Sequence, residues 1–320
     1  MAGILVIAES QGGALAPISA ELIGAARKLA AEGAGSVTAL VAGNEALAKE
    51  LIALGADAAI AATNAALADG TVDAYVPAVD AALAQTGAEI VLLGQTSLGR
   101  DLGPALAFKH NTAVAMDCVE VKAEGGKLKA TRSAYGGNAR AEVGFKNAPA
   151  IATIKAKSFD GLAPDAGRSG SVSTIDAAGD SRVKVLATSK AESTGVRIED
   201  APVVVAGGRG LGDQGGFTML EELANLLKGA TGASRAACDL GWYPPSQQVG
   251  LTGKTVSPNV YIAVAISGAS QHMAGMAGSK NIVAINKDAD ANMVKVAKFA
   301  IIEDYRKVVP ALIEEIKKLG

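Results

Sequence analysis

Three glycine-rich loops in the last third of the chain carry the residue types that bind anions and polar rings. The first, SGASQHMAGMAGSKNIVAIN (Ser267–Asn286), sets serines, an amide and one of the chain's two histidines between two apolar segments. A metal centre would need a second ligand near His272, and the other histidine, His110, lies in the opposite half. A Ser–His–Asp triad would need a GxSxG elbow, which the chain lacks. Two readings of His272 remain open. It is either a histidine satisfied within a glycine loop, or an imidazole that donates a hydrogen bond to a cofactor ring.

The second loop, GGRGLGDQGG (Gly207–Gly216), follows an apolar run and precedes a helical pattern, and Gly210, Gly212 and Gly215 fit GxGxxG. Backbone N–H groups at a helix start favour an anion, and Arg209 adds positive charge. Such a loop is either a nucleotide site or a plain connection. A nicotinamide enzyme would place an acid about 20 residues on, after the next strand; Asp239 is the loose candidate, because Asp213 and Glu221 fall in the loop and the helix. The third, GASRAACDLGWYPPSQQVGLTGKTV (Gly232–Val256), begins at Ser234–Arg235 and ends in a threonine between glycines, Thr252, with Lys254 nearby. That suggests contact with a ring or a phosphate, although a turn alone explains it and the Walker A pattern is absent. In the first half, Arg100–Asp101 within GQTSLGRDLGPALA read as a helix start with Asp101 at the cap facing the dipole. His110 reads as a C-terminal cap, and Tyr135, Asn138 and Arg140 could reach a partner.

These loops need rigid elements to aim them. Apolar runs at 4–8, 37–42, 57–62 and 89–94 alternate with helical spacing at 18–31, 45–54 and 72–86, which predicts a parallel sheet with crossover helices. Strand-like segments follow at 113–121, 127–135, 140–145 and 150–154, the first three parted by glycine pairs as in an antiparallel meander. Residues 158–180 read as an irregular connection, 182–188 as a strand, and the polar stretch 190–202 as a domain boundary. Alternation resumes with strands at 202–207, 233–238, 261–266, 282–285 and 299–302 and helices at 217–228 and 304–319. The last helix shows an apolar face of Val308, Leu312, Ile316 and Leu319. The expected fold is α/β with two domains, 1–190 and 191–320.

Composition narrows the function classes. Of the 320 residues, 49% are apolar and 19% charged, and the net charge of −2 gives no reason to expect nucleic-acid binding. Cys118 and Cys238 form neither CxxC nor a zinc spacing and read as buried thiols in a reducing compartment. No stretch approaches the roughly 20 apolar residues of a membrane span, and MAGILVIAES reads as a first strand rather than a signal peptide. The expected location is the cytoplasm, or a mitochondrial matrix for a chain whose targeting segment has been removed.

The three loops in this order, GGRGL, then SRAA–D–GW–P–QVGxTGK, then YIAVAISGASQHMAGM–SKNIVAINKD, resemble the α subunit of electron transfer flavoprotein, and the resemblance spans the chain. It implies two Rossmann-like domains, an N-terminal parallel sheet with an antiparallel extension that contacts a partner, and a C-terminal flavodoxin-like domain that binds FAD. By matched position it implies that Arg209 contacts the cofactor and that Ser234 and Arg235 flank the isoalloxazine. Gln248, Val249, Gly250, Leu251 and Thr252 form a loop with the threonine hydroxyl near N5. Ser267, Gly268, Ala269, Ser270 and Gln271 serve the phosphate or ribityl region, and His272 approaches the O2 side of the ring. Asn286, Asp304 and Tyr305 hold the adenosine end. Arg235 and His272 would both supply positive charge beside the ring and raise the potential of the first electron step. One residue departs from the pattern: members commonly carry glutamine where this chain has Leu251.

The resemblance further implies an electron carrier rather than an enzyme. It would pair with a β subunit that carries AMP or a second FAD. It would accept electrons from flavin dehydrogenases, such as the acyl-CoA dehydrogenases of fatty acid β-oxidation, and pass them to a membrane quinone oxidoreductase. Alternatives are a bifurcating, NADH-oxidising type, a nicotinamide-dependent dehydrogenase, and a nucleotide-binding module without redox function.

Overall fold

The computed structural model describes residues 3–135, 139–187 and 196–319. Two compact units emerge, one built on residues 3–134 and 139–187, the other on 196–319. The boundary expected at 190/191 and Asn138 lie outside the described residues.

The first unit begins with β1 (Ile4–Ala8), a small hairpin of β2 (Ser10–Gln11) and β3 (Ala14–Leu15), and α1 (Pro17–Leu29). Then come β4 (Val37–Ala42), α2 (Glu45–Ala53), β5 (Ala58–Ala62), α3 (Val72–Thr86), β6 (Ile90–Gly94) and α4 (Ser97–Lys109). Four antiparallel or parallel strands follow, β7 (Val114–Glu124), β8 (Lys127–Ala134), β9 (Ala139–Gly144) and β10 (Ala150–Ile154), and lastly β11 (Ser171–Ile175). Apart from the β2–β3 hairpin, the described strands form one sheet in the order β11-β5-β4-β1-β6-β10-β7-β8-β9. It is parallel from β11 to β7, and β8 and β9 extend it antiparallel. All five residues of ILVIA are buried because helices cover both faces, which is why the strand reads as a continuous apolar run.

Two sequence expectations fail here. Residues 182–187 form no strand: Arg182 is drawn to Asp73 through its backbone N–H and its guanidinium, and Leu186 is exposed. The sheet edge is instead taken by Ser171–Ile175, from the stretch read as irregular, in parallel register with β5. Nor does Asp101 cap α4. Thr96 does, its Oγ1 accepting from the Gly99 N–H at 3.1 Å, and Arg100 and Asp101 lie inside the helix. His110 is the C-terminal cap, as expected, with Nε2 2.8 Å from Asp80. Both thiols are free and buried.

The second unit runs β12 (Val203–Gly207), α5 (Gly216–Leu226), β13 (Ala230–Ala233), α6 (Arg235–Asp239), β14 (Val260–Val264), α7 (Ser270–Ala274), β15 (Asn281–Asn286), α8 (Asn292–Val296), β16 (Phe299–Ile302) and α9 (Tyr305–Leu319). The strand expected at 233–238 is therefore two elements. Ser234 turns the chain, its Oγ accepting from the Ala237 N–H as a helix cap, and the residues after it are helical. In α9 the inward stripe is Tyr305, Val309 and Ile313, with Val308, Leu312 and Ile316 only partly covered; the expected face is one residue out of phase.

All pairings in this sheet are parallel, in the order β13-β12-β14-β15-β16. In the unit's own numbering that is 2-1-3-4-5, a doubly wound sheet whose order reverses between β12 and β14. In such sheets the crevice opens at the carboxyl ends of the two strands at the reversal. Phe217, Leu220 and Leu223 pack on one face and Tyr261, Val249 and Met276 on the other. At the reversal the backbones nearly touch, because a Cβ built on Gly208 would lie 2.2 Å from the carbonyl oxygen of Ala265. Gly208→Ala is therefore expected to destabilise this unit by about 1–3 kcal/mol, the usual range for overpacking. Urea unfolding monitored at Trp242 measures it, and an unchanged midpoint would refute the contact.

Candidate functional site

A concavity of about 660 Å³ sits at the carboxyl ends of β12 and β14. Its walls come from five segments: the turn after β12, the start of α6, the loop before β14, the loop and short helix after β14, and the loop after β15. The sequence-expected residues Arg209, Ser234, Arg235, Gln248, Val249, Gly250, Leu251, Thr252, Ser267, Ala269, Gln271, His272 and Asn286 all line it. Residues some 80 positions apart are brought together because each belongs to a loop leaving the same edge of a parallel sheet.

The loops are tied to one another by backbone. Leu251 N–H donates to the Gln271 carbonyl at 2.7 Å and Val256 N–H to that of Gly275 at 2.7 Å. Gly250, with φ +148°, allows the first of these turns. Ala265 leaves β14 in the left-handed region, φ +53°, and Gly268 does so at +83°, where a Cβ would meet the Met293 nitrogen at 2.3 Å. Gly268 is thus a turn residue that does not line the concavity, and Ser270 is likewise outside the lining.

Several polar groups expected to face a ligand are engaged elsewhere. Lys254 pairs with Glu199 at 2.5 Å. The Tyr305 side chain is buried, and its hydroxyl donates to the Leu211 carbonyl at 2.8 Å. Asp304 sits at the start of α9. The Arg306 amide, and after it Lys287, hold its carboxyl below the usual carboxylate range. Asp304 and Tyr305 do not line the concavity. Asn286 does, but its amide braces the wall, donating to the Ile266 carbonyl at 3.0 Å and accepting from the Asp288 N–H at 3.1 Å.

Other groups remain available. Among the described residues Arg209 makes no ion pair and is exposed at the rim. Arg235 Nε lies 3.2 Å from Asp239, which also lines the concavity, an exposed pair worth little in itself. Gln248 Nε2 donates to Thr252 Oγ1 at 3.0 Å, leaving the threonine O–H free to donate. Leu251 is 70% exposed, an apolar side chain on the mouth of a polar crevice.

His272 differs most from its expected role. It is 6% exposed, and burial pushes its pKa down to about 4, so the ring is neutral at pH 7 and contributes no positive charge. The Val249 carbonyl beside the ring opposes that shift only in part, and it does not reach hydrogen-bond geometry, so Nδ1 is left buried and without a partner. Sequence reasoning missed Tyr261, Asp288 and the Ala265–Ile266 backbone. The one signal for Tyr261 was a hydroxyl inside the apolar run NVYIAVAI.

Two family models match the chain, the Electron transfer flavoprotein domain over residues 4–180 and the Electron transfer flavoprotein FAD-binding domain over residues 197–277. The chain is 41% identical to the electron transfer flavoprotein subunit alpha of Thermoanaerobacterium thermosaccharolyticum, over 99% of this chain and 98% of the relative. It is 39% identical to that of Bacillus subtilis, over 99% and 98%, and 41% identical to that of Mycobacterium tuberculosis, over 99% of each.

The burial of His272 has a measurable consequence. Folded, it binds fewer protons than the unfolded chain between the ordinary 6.5 and about 4. Its stabilisation is full above that window and is lost as pH falls through it. Relative to His272→Gln, the wild type should lose on the order of 3 kcal/mol across the window, about 1.4 per pKa unit. Urea unfolding of both proteins at a series of pH values reads the difference, and parallel curves would mean that the ring protonates freely in the folded protein.

Proposed function

We infer that this chain, which belongs to the electron transfer flavoprotein α-subunit family, is the FAD-holding half of a two-subunit electron carrier. The observation that supports this reading most is the convergence of five segments on one crevice at the strand-order reversal. Among the described residues that line it are one ion-pair-free cation at the rim, one cation beside an acid, and neutral hydrogen-bond donors.

The residues fit a flavin dinucleotide. Arg209 at the rim suits a phosphate, which an arginine fork recognises well. The Ser267–Gln271 loop offers hydroxyl, amide and backbone groups at the same end as small residues that let a chain of phosphates and hydroxyls approach. On the exposed loop beside Leu251, the Thr252 hydroxyl, with its oxygen held by Gln248, can donate to a ring nitrogen, while the buried, unpartnered Nδ1 of His272 lies deeper. When bound, the flavin supplies one-electron redox chemistry. The chain's part is to hold it, exclude water from its ring and set the local charge. With His272 neutral, Arg235 is the cation left to favour added negative charge there.

Electrons would come from flavin dehydrogenases, including acyl-CoA dehydrogenases, and leave to a quinone oxidoreductase. A β subunit would complete the carrier. Among the described residues no helix is long and apolar enough to cross a membrane.

Expressed together with its β subunit, the chain should yield a yellow heterodimer that releases FAD on acid treatment; a colourless complex, or release of AMP alone, would overturn the reading. Arg235→Met should lower the potential of the first electron step by on the order of 50 mV, the equivalent of about 1 kcal/mol for a partly screened charge. Leu251→Gln should leave stability within about 0.5 kcal/mol, as exposed positions do, while shifting the flavin absorbance bands by restoring a polar group at the mouth. Spectroelectrochemical titration and denaturant unfolding check the two.

A further inference from the structure

We propose that Tyr261 is a positioning residue: its buried hydroxyl donates to His272 Nε2 and so fixes the imidazole in the crevice wall as a neutral Nδ1–H tautomer of set orientation. The inference builds on the flavin-site reading above but is decided by measurements of its own.

The geometry carries it. Tyr261 lies in the middle of β14, wholly buried, and its hydroxyl is 2.9 Å from His272 Nε2. Burial raises the phenol's pKa far above its ordinary value, so the hydroxyl keeps its proton. Among the described residues the imidazole nitrogen is the sole hydrogen-bond partner of that hydroxyl. Two arrangements are possible. If Nε2 carried the proton and donated to the hydroxyl oxygen, the phenolic hydrogen would be buried with no acceptor, which is expensive to leave unmade. The deprotonated Nδ1 would then face the Val249 carbonyl lone pairs. If the hydroxyl donates to Nε2, it is satisfied, the ring proton sits on Nδ1, and the Val249 carbonyl beside the ring is a favourable neighbour. The second arrangement leaves the Nδ1–H as the one unmet group, on a residue of the crevice wall but itself buried beside the Val249 carbonyl.

Such a donor is distinct from the cation expected there. It is uncharged, its direction is set by a strand residue rather than by the loop, and it costs little reorganisation when an acceptor arrives. It selects for an acceptor atom, a carbonyl oxygen or an unprotonated ring nitrogen, and disfavours a donor. That explains why a tyrosine interrupts an otherwise aliphatic buried strand: at this position phenylalanine would fill the same volume but would leave Nε2 without a proton donor.

The test is nitrogen NMR of the heterodimer labelled with 15N-histidine, with the flavin bound and after its removal, the His272 signals assigned by their loss in His272→Gln. Expected for the wild type at pH 7 is a protonated Nδ1 and an unprotonated, hydrogen-bonded Nε2 in both forms. Expected for Tyr261→Phe, flavin removed, is loss of the single tautomer to a mixture with a protonated Nε2, and with flavin bound a shift of the absorbance bands. A wild-type ring protonated at Nε2, or at both nitrogens, overturns the proposal even if the variant does not fold. A Tyr261→Phe protein that keeps a pure Nδ1–H ring shows that the hydroxyl does not set the tautomer and overturns it as well. A heterodimer that purifies without flavin and takes up none, yet whose His272 shows the expected pattern, would sink the flavin reading and leave this assignment standing.

Discussion

The crevice depends on a contact that no side chain makes. At the reversal of strand order, β12 and β14 run side by side and their exits must part to opposite faces of the sheet. Before they part, the Gly208 backbone lies against the Ala265 carbonyl, in the space a Cβ would fill. Ala265 leaves β14 in a left-handed conformation that a residue with a Cβ adopts only at some cost, on the order of 1 kcal/mol or more. Its N–H is held by the Ile285 carbonyl at 2.8 Å, so the strain is offset by pairing with the next strand. From this closure the two loops diverge, one carrying Arg209 and the other Ser267–His272, and the space between them is the site.

Burial then sorts the polar groups. A guanidinium at the rim stays charged and solvated, whereas an imidazole taken nearly out of water cannot hold a proton at neutral pH, and its pKa falls to about 4. Sequence alone offers no way to tell these cases apart, because both residues stand in glycine-rich loops beside strands. What distinguishes them is depth: His272 sits one helical turn into α7, against Tyr261 and behind the Gly250 turn, while Arg209 precedes the glycines that open to solvent. The local electrostatics follow as cation outside and neutral donor inside, not two cations on the ring.

Much of the fold was legible because its signals are local. Continuous apolar runs marked the buried strands, with β1, β4 and β10 matching residue for residue; the run at 299–302 also matches β16, although that edge strand is exposed, and the glycine pair at 125–126 marked the turn between β7 and β8. The failures divide between places where a non-local partner decided and places where a local helix cap did. A single carboxylate, Asp73, draws 182–187 away from any sheet, and an open edge at β5 recruits the less apolar SVSTI. The strand expected at 233–238 ended early because one serine hydroxyl found a helical N–H. The site was legible as a set of residue types and through the family pattern, but the direction of each side chain was not. Asn286, Lys254 and Tyr305 all have the chemistry to contact a ligand, and each is engaged with the protein itself.

That division between bracing groups and free groups is what gives the site its chemical character. Asn286 holds the carbonyl of Ile266, Tyr305 holds that of Leu211, and Gln248 holds the oxygen of Thr252, so three side chains with both donor and acceptor capacity set the positions of others. Among the described lining residues, three donors stand out: a guanidinium at the rim, a hydroxyl hydrogen on Thr252 and a ring N–H on His272, with the Ser267 hydroxyl and the Gln271 amide adding groups that can donate or accept. A crevice with these donors, and with positive charge toward the solvent end, complements a molecule that is anionic outside and accepting inside. It would reject one that brings its own donors to the inner wall, since each would bury an unmet hydrogen against another. The tighter the bracing, the smaller the reorganisation when charge is added to what is held there, and a low reorganisation is what a protein that passes single electrons requires of its scaffold.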